Sequence, residues 1–325
     1  MQSEHTIIIG AGPCGMSAAI ELQNFGINPL LIEKGNVVNS IYNYPTHQTF
    51  FSSSEKLEIG NIAFITENKK PVRNQALAYY REVAERKSLR INSFEKVVSI
   101  KKNKEKFTLR TETNKGEEKE YRATNVVVAT GYLDQPNMLG VKGEHLNKVM
   151  HYFKEAHPFY NKDVVVIGGK NSAVDAILEL HKAGARITVL YRGSDYSKSI
   201  KPWILPEFQS LIRKDIVTME FNANVKEITE HEVVFESNGV LKRIKNDFVF
   251  AMTGYRPDQS FLSDLGITFD NKTGRPSFDE ETMESNISDI YIAGVVAAGF
   301  DNNEIFIENG RFHGKKIAKH IKEKE

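Results

Sequence analysis

"TIIIGAGPCGMSAAIELQNFGINPLLIEKG", Thr6 to Gly35, is the stretch that decides the fold. Its apolar run Ile7 to Ile9 is continuous and ends in a glycine, as expected of a strand buried on both faces. The next segment carries Ala18, Ala19, Leu22 and Phe25 at helical spacing and closes on Gly26. "NPLLIEKG" then supplies a second buried strand, which completes a parallel β-α-β unit. The turn opening the helix has the spacing of a phosphate cradle, Gly10-x-Gly12-x-x-Gly15. The first glycine permits the tight turn, the second lets a pyrophosphate approach the backbone, and the third lets helix and strand pack closely. Pro13 suits the first helical turn, where a missing N–H costs nothing. Glu33 ends the second strand, where a carboxylate accepts the ribose hydroxyls of an adenosine.

A similar unit returns at "DVVVIGGKNSAVDAILELHKAGARITVLYRG", Asp163 to Gly193. Its cradle, Gly168 to Ala173, departs from the pattern: Lys170 holds the middle glycine position and Ala173 the third, with Asn171 and Ser172 between them. Arg192 stands where the first unit has Glu33. An acid there favours a free 2'-hydroxyl and an arginine a 2'-phosphate, so the second nucleotide is expected to be NADPH. Lys198 and Lys201 either extend that pocket or belong to a solvated basic loop.

Each unit is followed by alternating, hairpin-like sequence, and each half has a buried strand ending in Thr-Gly-Tyr with a proline soon after, "ATGYLDQP" and "MTGYRPD". These are the expected interdomain crossings, near residues 133–136 and 254–257. The expected fold is therefore α/β, with two Rossmann-like domains of three-layer ββα type, the second inserted in the first. "DIYIAGVVAAG" and the helix "IENGRFHGKKIAKHIKEKE" are assigned to the first domain.

Lysine plus arginine total 43 against 42 acidic residues, so there is no global field to draw nucleic acid or an anionic membrane. The expected partner is a small molecule, with a homo-oligomer suggested by the aromatic content. A single cysteine excludes an internal disulfide, a Cys-x-x-Cys dithiol and a cysteine-rich zinc cluster; no metal site is expected. "MQSEHTIIIG" shows no basic leader and no apolar run nears a membrane span, which is read as cytoplasmic.

The two cradles, with an acid after one and an arginine after the other, resemble the two-dinucleotide-binding flavoproteins, and in layout the low-molecular-weight thioredoxin reductases. Two departures stand out. No dithiol is available, and Gly294 is followed by Val295 where thioredoxin reductases have an aspartate on the ribityl chain; Asp301, Asn302 or a backbone group is left to replace it. "GAGPCG", "NYPTHQTFFSSSEKLEIG", "VVIGGKNSAVDA" and "NEIFIENGRFHG" are together similar to the YpdA-type bacillithiol disulfide reductase family.

That resemblance implies FAD in a domain of residues 1–135 and 256–325, NADPH in one of residues 136–255, and reduction of bacillithiol disulfide. It also implies cofactor contacts at Lys34, Gln48, Val97, Thr130, Gly131 and Gly294, with Thr49, Ser52, Asn303 and a proton-donating His47 as further candidates. The segment "FDNNEIFIENG" is expected to run into the last helix, and "PWILP" around Trp203 to form a rigid loop near the NADPH pocket or at an interdomain contact, with a packing role. Cys14 is the residue such enzymes propose for thiol chemistry.

Two readings of Cys14 stay open. In the first turn of a helix the macrodipole brings about half a positive charge, which favours a thiolate. A bound pyrophosphate brings roughly two negative charges to the same end, which opposes it. The alternative is a small buried residue beside the cofactor. The competing functions are a ferredoxin- or flavodoxin-NADP reductase, a flavin monooxygenase, neither needing the cysteine, and a redox-sensing protein that binds both nucleotides without turnover.

Overall fold

Thr6 to Gly35 folds as β1 (Gln2–Ile9), a helix (Pro13–Asn24) and β2 (Leu30–Glu33), with β1 and β2 parallel and Ile8 opposite Leu31. The computed structural model describes residues 2–103, 106–301 and 304–325. It divides into two compact units, Met1–Gln135 with Arg256–Glu325, and Pro136–Tyr255.

In the first unit β3 (Arg90–Ser93) extends the parallel sheet beyond β2. β4 (Glu95–Asn103) and β5 (Lys106–Thr113) are antiparallel and join the early part of β6 (Glu118–Val128). β6 is long enough to serve two layers. Its start pairs with β5, while its end, Val126 to Val128, lies between β1 and a parallel strand from the C-terminal segment, Ile290–Ile292. Ile7, Ile8, Leu31, Val126, Val127, Val128 and Ile292 are buried on both faces, as parallel strands between layers require. Each such side chain contributes about 1.5–3 kcal/mol.

The first helix buries Met16, Ala18, Ala19 and Leu22. Phe25 corrects the periodic reading: the helix stops at Asn24, and Phe25 caps it with a non-helical backbone and 40% of its surface exposed. The last helix (His313–Lys324) crosses the first at Gly314, where an added Cβ would stand 2.5 Å from the Ala18 Cα. Side chains at that crossing would drive the backbones apart. A second correction concerns the approach to it. Ile307–Gly310 forms a separate single-turn helix, and Arg311 and Phe312 divide it from the last helix.

The second unit repeats the design. β7 (Val149–Met150), β8 (Asp163–Ile167), β9 (Arg186–Leu190), β10 (Val217–Glu220) and β14 (Phe248–Ala251) form a parallel sheet ordered β10-β9-β8-β14-β7. β11 (Ala223–Ile228), β12 (Glu232–Ser237) and β13 (Val240–Lys245) make the antiparallel layer. Its cradle helix (Asn171–Lys182) buries Ala173, Val174, Ala176, Ile177 and Leu180 on β8 and β9. In both units the glycine turn thus sits at the carboxyl end of a central parallel strand, where open α/β sheets bind ligands.

Candidate nucleotide-binding sites

The three glycines of the first cradle meet three different surroundings. A Cβ on Gly10, which has φ +106°, would stand 2.5 Å from the Ala129 carbonyl oxygen. One on Gly15 would stand 2.1 Å from the Gly10 carbonyl oxygen, so the helix start is packed directly on the turn. Gly12 has open space, with nothing within 4 Å of its added Cβ. That is the room a pyrophosphate needs, and Pro13 follows as the first helical residue. These residues fit a dinucleotide.

Glu33 is buried, and each of its carboxylate oxygens accepts one backbone N–H: Ala11 donates to Oε2 and Gly35 to Oε1, both at 2.8 Å. Burial raises its pKa and the two N–H donors oppose that rise. Ala11 also accepts the Val38 N–H at 3.0 Å, and Val38 is buried in the left-handed conformation, φ 50° and ψ 46°. A β-branched residue there is strained. The chain holds it by tying the turn after β2 to the cradle through Ala11. Lys34 is directed to Asp134 at 2.8 Å, and Thr130 and Gly131 follow Ala129 along the same edge, Gly131 with φ +72°.

Cys14 lies one residue inside the helix, wedged between two distant glycines. An added Cβ would stand 3.1 Å from its Sγ at Gly294 and 3.0 Å at Gly310. Burial pushes the thiol up to about 12, so the resting residue is a protonated thiol rather than an activated thiolate. The Gly294 N–H donates to His313 Nδ1 at 3.1 Å, which makes Nε2 the protonated nitrogen. Burial pushes His313 down to about 4, so this ring is neutral at pH 7. Ser17 Oγ donates to the Arg311 carbonyl, and Arg311 Nη1 donates to the carbonyls of Glu55 and Glu58. These bonds hold the segment 310–313 over the first helix.

Of the other candidates on this side, Val97 is buried at a bulge in β4 and Gly294 borders Cys14 with φ +77°. Gln48 donates to the Thr49 carbonyl, and Thr49 bridges to Val72. Ser52 donates to Glu308 Oε2 at 2.5 Å, which ties its loop to the short helix. His47 and Asp301 are exposed, and Asn302 and Asn303 lie outside the described residues. Arg73, which periodicity could not single out, organises the region: it is buried, its N–H donates to the Gln48 carbonyl and its guanidinium to the Tyr42 carbonyl. An arginine opening a helix just after Pro71 was the available signal. Gly310 and Gly314 stand at a small-xxx-small spacing in the sequence, the signal for their close packing on the first helix.

In the second cradle a Cβ on Gly168, φ +139°, would meet the Met252 carbonyl oxygen at 2.4 Å, and one on Gly169 the Tyr191 ring at 2.7 Å. Lys170 is the residue before the helix and is exposed, as is Ser172, while Ala173 is buried against the sheet. Arg192 is exposed just beyond the end of β9. The side chain of Asn171 does not face outward as a free amide: Nδ2 donates to the Ser199 carbonyl and Oδ1 accepts the Lys201 N–H, both at 2.9 Å. Trp203 is 56% exposed, with the Lys201 ammonium 6.0 Å from its ring centre. A helix start with open surface and exposed cations fits a second phosphorylated dinucleotide.

Among the described residues no helix is long and apolar enough to cross a membrane, and no group of three metal-ligating side chains gathers.

Residues 7–294 match the model of the pyridine nucleotide-disulphide oxidoreductase family. The chain is 63% identical over 326 residues to bacilliredoxin reductase Bdr of Bacillus subtilis, covering all of this chain and 99% of the relative. Among solved structures it is similar to bacillithiol disulfide reductase Bdr (YpdA) from Bacillus cereus, at 64% identity with a TM-score of 0.98, each chain covered in full. The corresponding protein from Staphylococcus aureus has 58% identity and a TM-score of 0.96, again with both chains covered in full.

Proposed function

This chain belongs to the pyridine nucleotide-disulphide oxidoreductase family, and on that premise we propose that it reduces bacillithiol disulfide with NADPH as donor and FAD as relay. The observation that carries the cofactor reading is the pair of cradles, one followed by the buried acid Glu33 and the other by the exposed Arg192. The acceptor rests on full-length similarity to proteins bearing that name. The first unit takes FAD and the second NADPH.

Gly12 leaves room for the pyrophosphate, the helix beginning at Pro13 faces it, and Glu33 takes the ribose hydroxyls with its remaining lone pairs. In the second unit Lys170 and Arg192 meet the phosphates, with the backbone at Asn171, Ser172 and Ala173 opening the helix. When bound, the flavin supplies the two-electron relay between nicotinamide and disulfide. In balance, the S–S bond breaks, NADPH is oxidised to NADP+, and one further proton from water leaves two thiols.

Cys14 takes part as attacking or resolving sulfur only once its proton is removed, because as packed its thiol is protonated while the residue stays partly exposed. The protein is read further as a cytoplasmic homo-oligomer, supported by its lone cysteine and its aromatic content; size-exclusion chromatography with light scattering tests the assembly.

The deciding experiment is anaerobic stopped-flow spectroscopy. The holoprotein is reduced with NADPH and mixed with bacillithiol disulfide, a bacilliredoxin or a ferredoxin. Flavin reoxidation by the small disulfide alone supports the reading. Reoxidation that requires bacilliredoxin moves the acceptor to a protein disulfide, and reoxidation by ferredoxin alone refutes disulfide reduction.

A further inference from the structure

Asn171 opens the second cradle helix, yet both ends of its amide are spent on another segment. Nδ2 donates to the Ser199 carbonyl and Oδ1 accepts the Lys201 N–H, each at 2.9 Å. This two-point clasp joins positions 28 and 30 residues away to the first residue of the helix. The loop so held is stiffened from within: Ser197 and Ser199 share a hydroxyl hydrogen bond at 2.9 Å, Ile200 is buried, and the Ile204 N–H returns to the Lys201 carbonyl. Lys198 lies one residue before the clasped Ser199 and is exposed, and Lys201 is itself clasped through its backbone. The clasp therefore fixes the backbone that carries these two lysines relative to the start of the cradle helix, all within one unit.

We infer that Asn171 is a positioning residue for nucleotide choice: it fastens the basic loop of Lys198 and Lys201 beside the cradle, so that these lysines join Arg192 around a 2'-phosphate. The inference rests on the second unit being the NADPH site. A phosphate monoester carries close to two charges at neutral pH, and its affinity depends on how many cations are held within hydrogen-bond reach. A free loop spreads those cations over many conformations, and ordering it on binding weakens the complex. NADH lacks the 2'-phosphate and gains nothing from the ordered loop. Asn171 thus acts on the ratio of NADPH to NADH use, not on electron transfer.

The test is the NADPH/NADH ratio of kcat/KM in the holoprotein, measured for wild type, Asn171→Ala, Lys198→Ala with Lys201→Ala, and the triple variant. Calorimetric titration with 2',5'-ADP accompanies each and needs no turnover, and a thermal melt confirms that each variant is folded. Asn171→Ser, which shortens the side chain and keeps its polarity, gives a milder second variant should Asn171→Ala fail to fold. The expected result is a ratio about 10-fold lower in Asn171→Ala, from a higher KM for NADPH, with 2',5'-ADP affinity lowered in step. The triple variant should then be no worse than the lysine pair, because residues acting through one another are not additive.

Equal losses with both nucleotides would make Asn171 a general support of the fold or a direct pyrophosphate ligand, and overturn the inference. Additive losses in the triple variant would overturn it as well. A wild type without preference for NADPH and without 2',5'-ADP binding overturns the underlying reading along with it. A wild type that prefers NADPH while Asn171→Ala keeps that preference sinks the clasp alone.

Discussion

Alkylation of Cys14 as a function of pH separates a protonated packing residue from an activated nucleophile. The thiolate is the reactive form, and the ordinary thiol value of 9.0 is pushed up to about 12 by burial. At pH 8 an unperturbed thiol of that kind is about one-tenth ionised, whereas Cys14 is ionised to roughly one part in ten thousand. Its reaction with iodoacetamide is therefore expected to be about 1000-fold slower than that of an unperturbed cysteine. The rate should climb about tenfold per pH unit up to the onset of unfolding. Mass spectrometry of the FAD-loaded protein, quenched at intervals, reads the modified fraction directly because the chain has one cysteine. A rate that levels between pH 6 and 8 would mean a thiolate in the resting enzyme, and the packing account of Cys14 would be wrong. The same burial has a consequence for stability. Its contribution is present below about pH 9 and is lost as pH rises toward 12, because the unfolded thiol ionises first.

Three further outcomes follow from the same geometry. Gly310→Ala places a Cβ 3.0 Å from the Cys14 Sγ, and the overpacking is expected to cost about 1–3 kcal/mol in urea unfolding; Cys14→Ala should recover part of it, and strict additivity would show that the two do not touch. His313→Asn keeps an acceptor for the Gly294 N–H but removes a group held neutral. Wild type should lose up to about 3 kcal/mol as pH falls from 6.5 toward 4, the histidine value being depressed, and the variant's acid limb should be flatter; equal acid limbs would rule the histidine out. Glu33→Gln turns one acceptor into an NH2 facing a backbone N–H, at about 1–3 kcal/mol, so FAD titration of the apoprotein should show about 10- to 100-fold weaker binding; unchanged affinity would remove Glu33 from the site.

The two β-α-β units, their cradles and the acid and arginine that follow them were legible because each is local. A buried parallel strand, a 3.6-residue period and a glycine turn are written within about thirty residues. Phe25 shows where periodicity overreaches. It falls on the buried stripe by spacing, but the chain leaves the helix at Asn24 and carries it outward. The apparent single terminal helix failed similarly, since the Arg311 side chain is drawn to the carbonyls of Glu55 and Glu58 and its own carbonyl takes the Ser17 hydroxyl, bonds that no local pattern encodes.

By itself the sequence determined the family, the paired nucleotide folds and the glycines that open them, because those follow from residue type and short spacing. Tertiary structure alone decided what surrounds Cys14 and Asn171. The helix start left Cys14 between a favourable dipole and an unfavourable pyrophosphate. Gly294 and Gly310, brought from the far end of the chain, pack against its sulfur, and the desolvation there keeps the thiol protonated although the residue stays partly exposed. Asn171 looked like a phosphate contact by position, until the fold placed Ser199 and Lys201 on both ends of its amide. In each case the deciding partner is remote in sequence, and burial and hydrogen-bond saturation exist only once that partner has arrived.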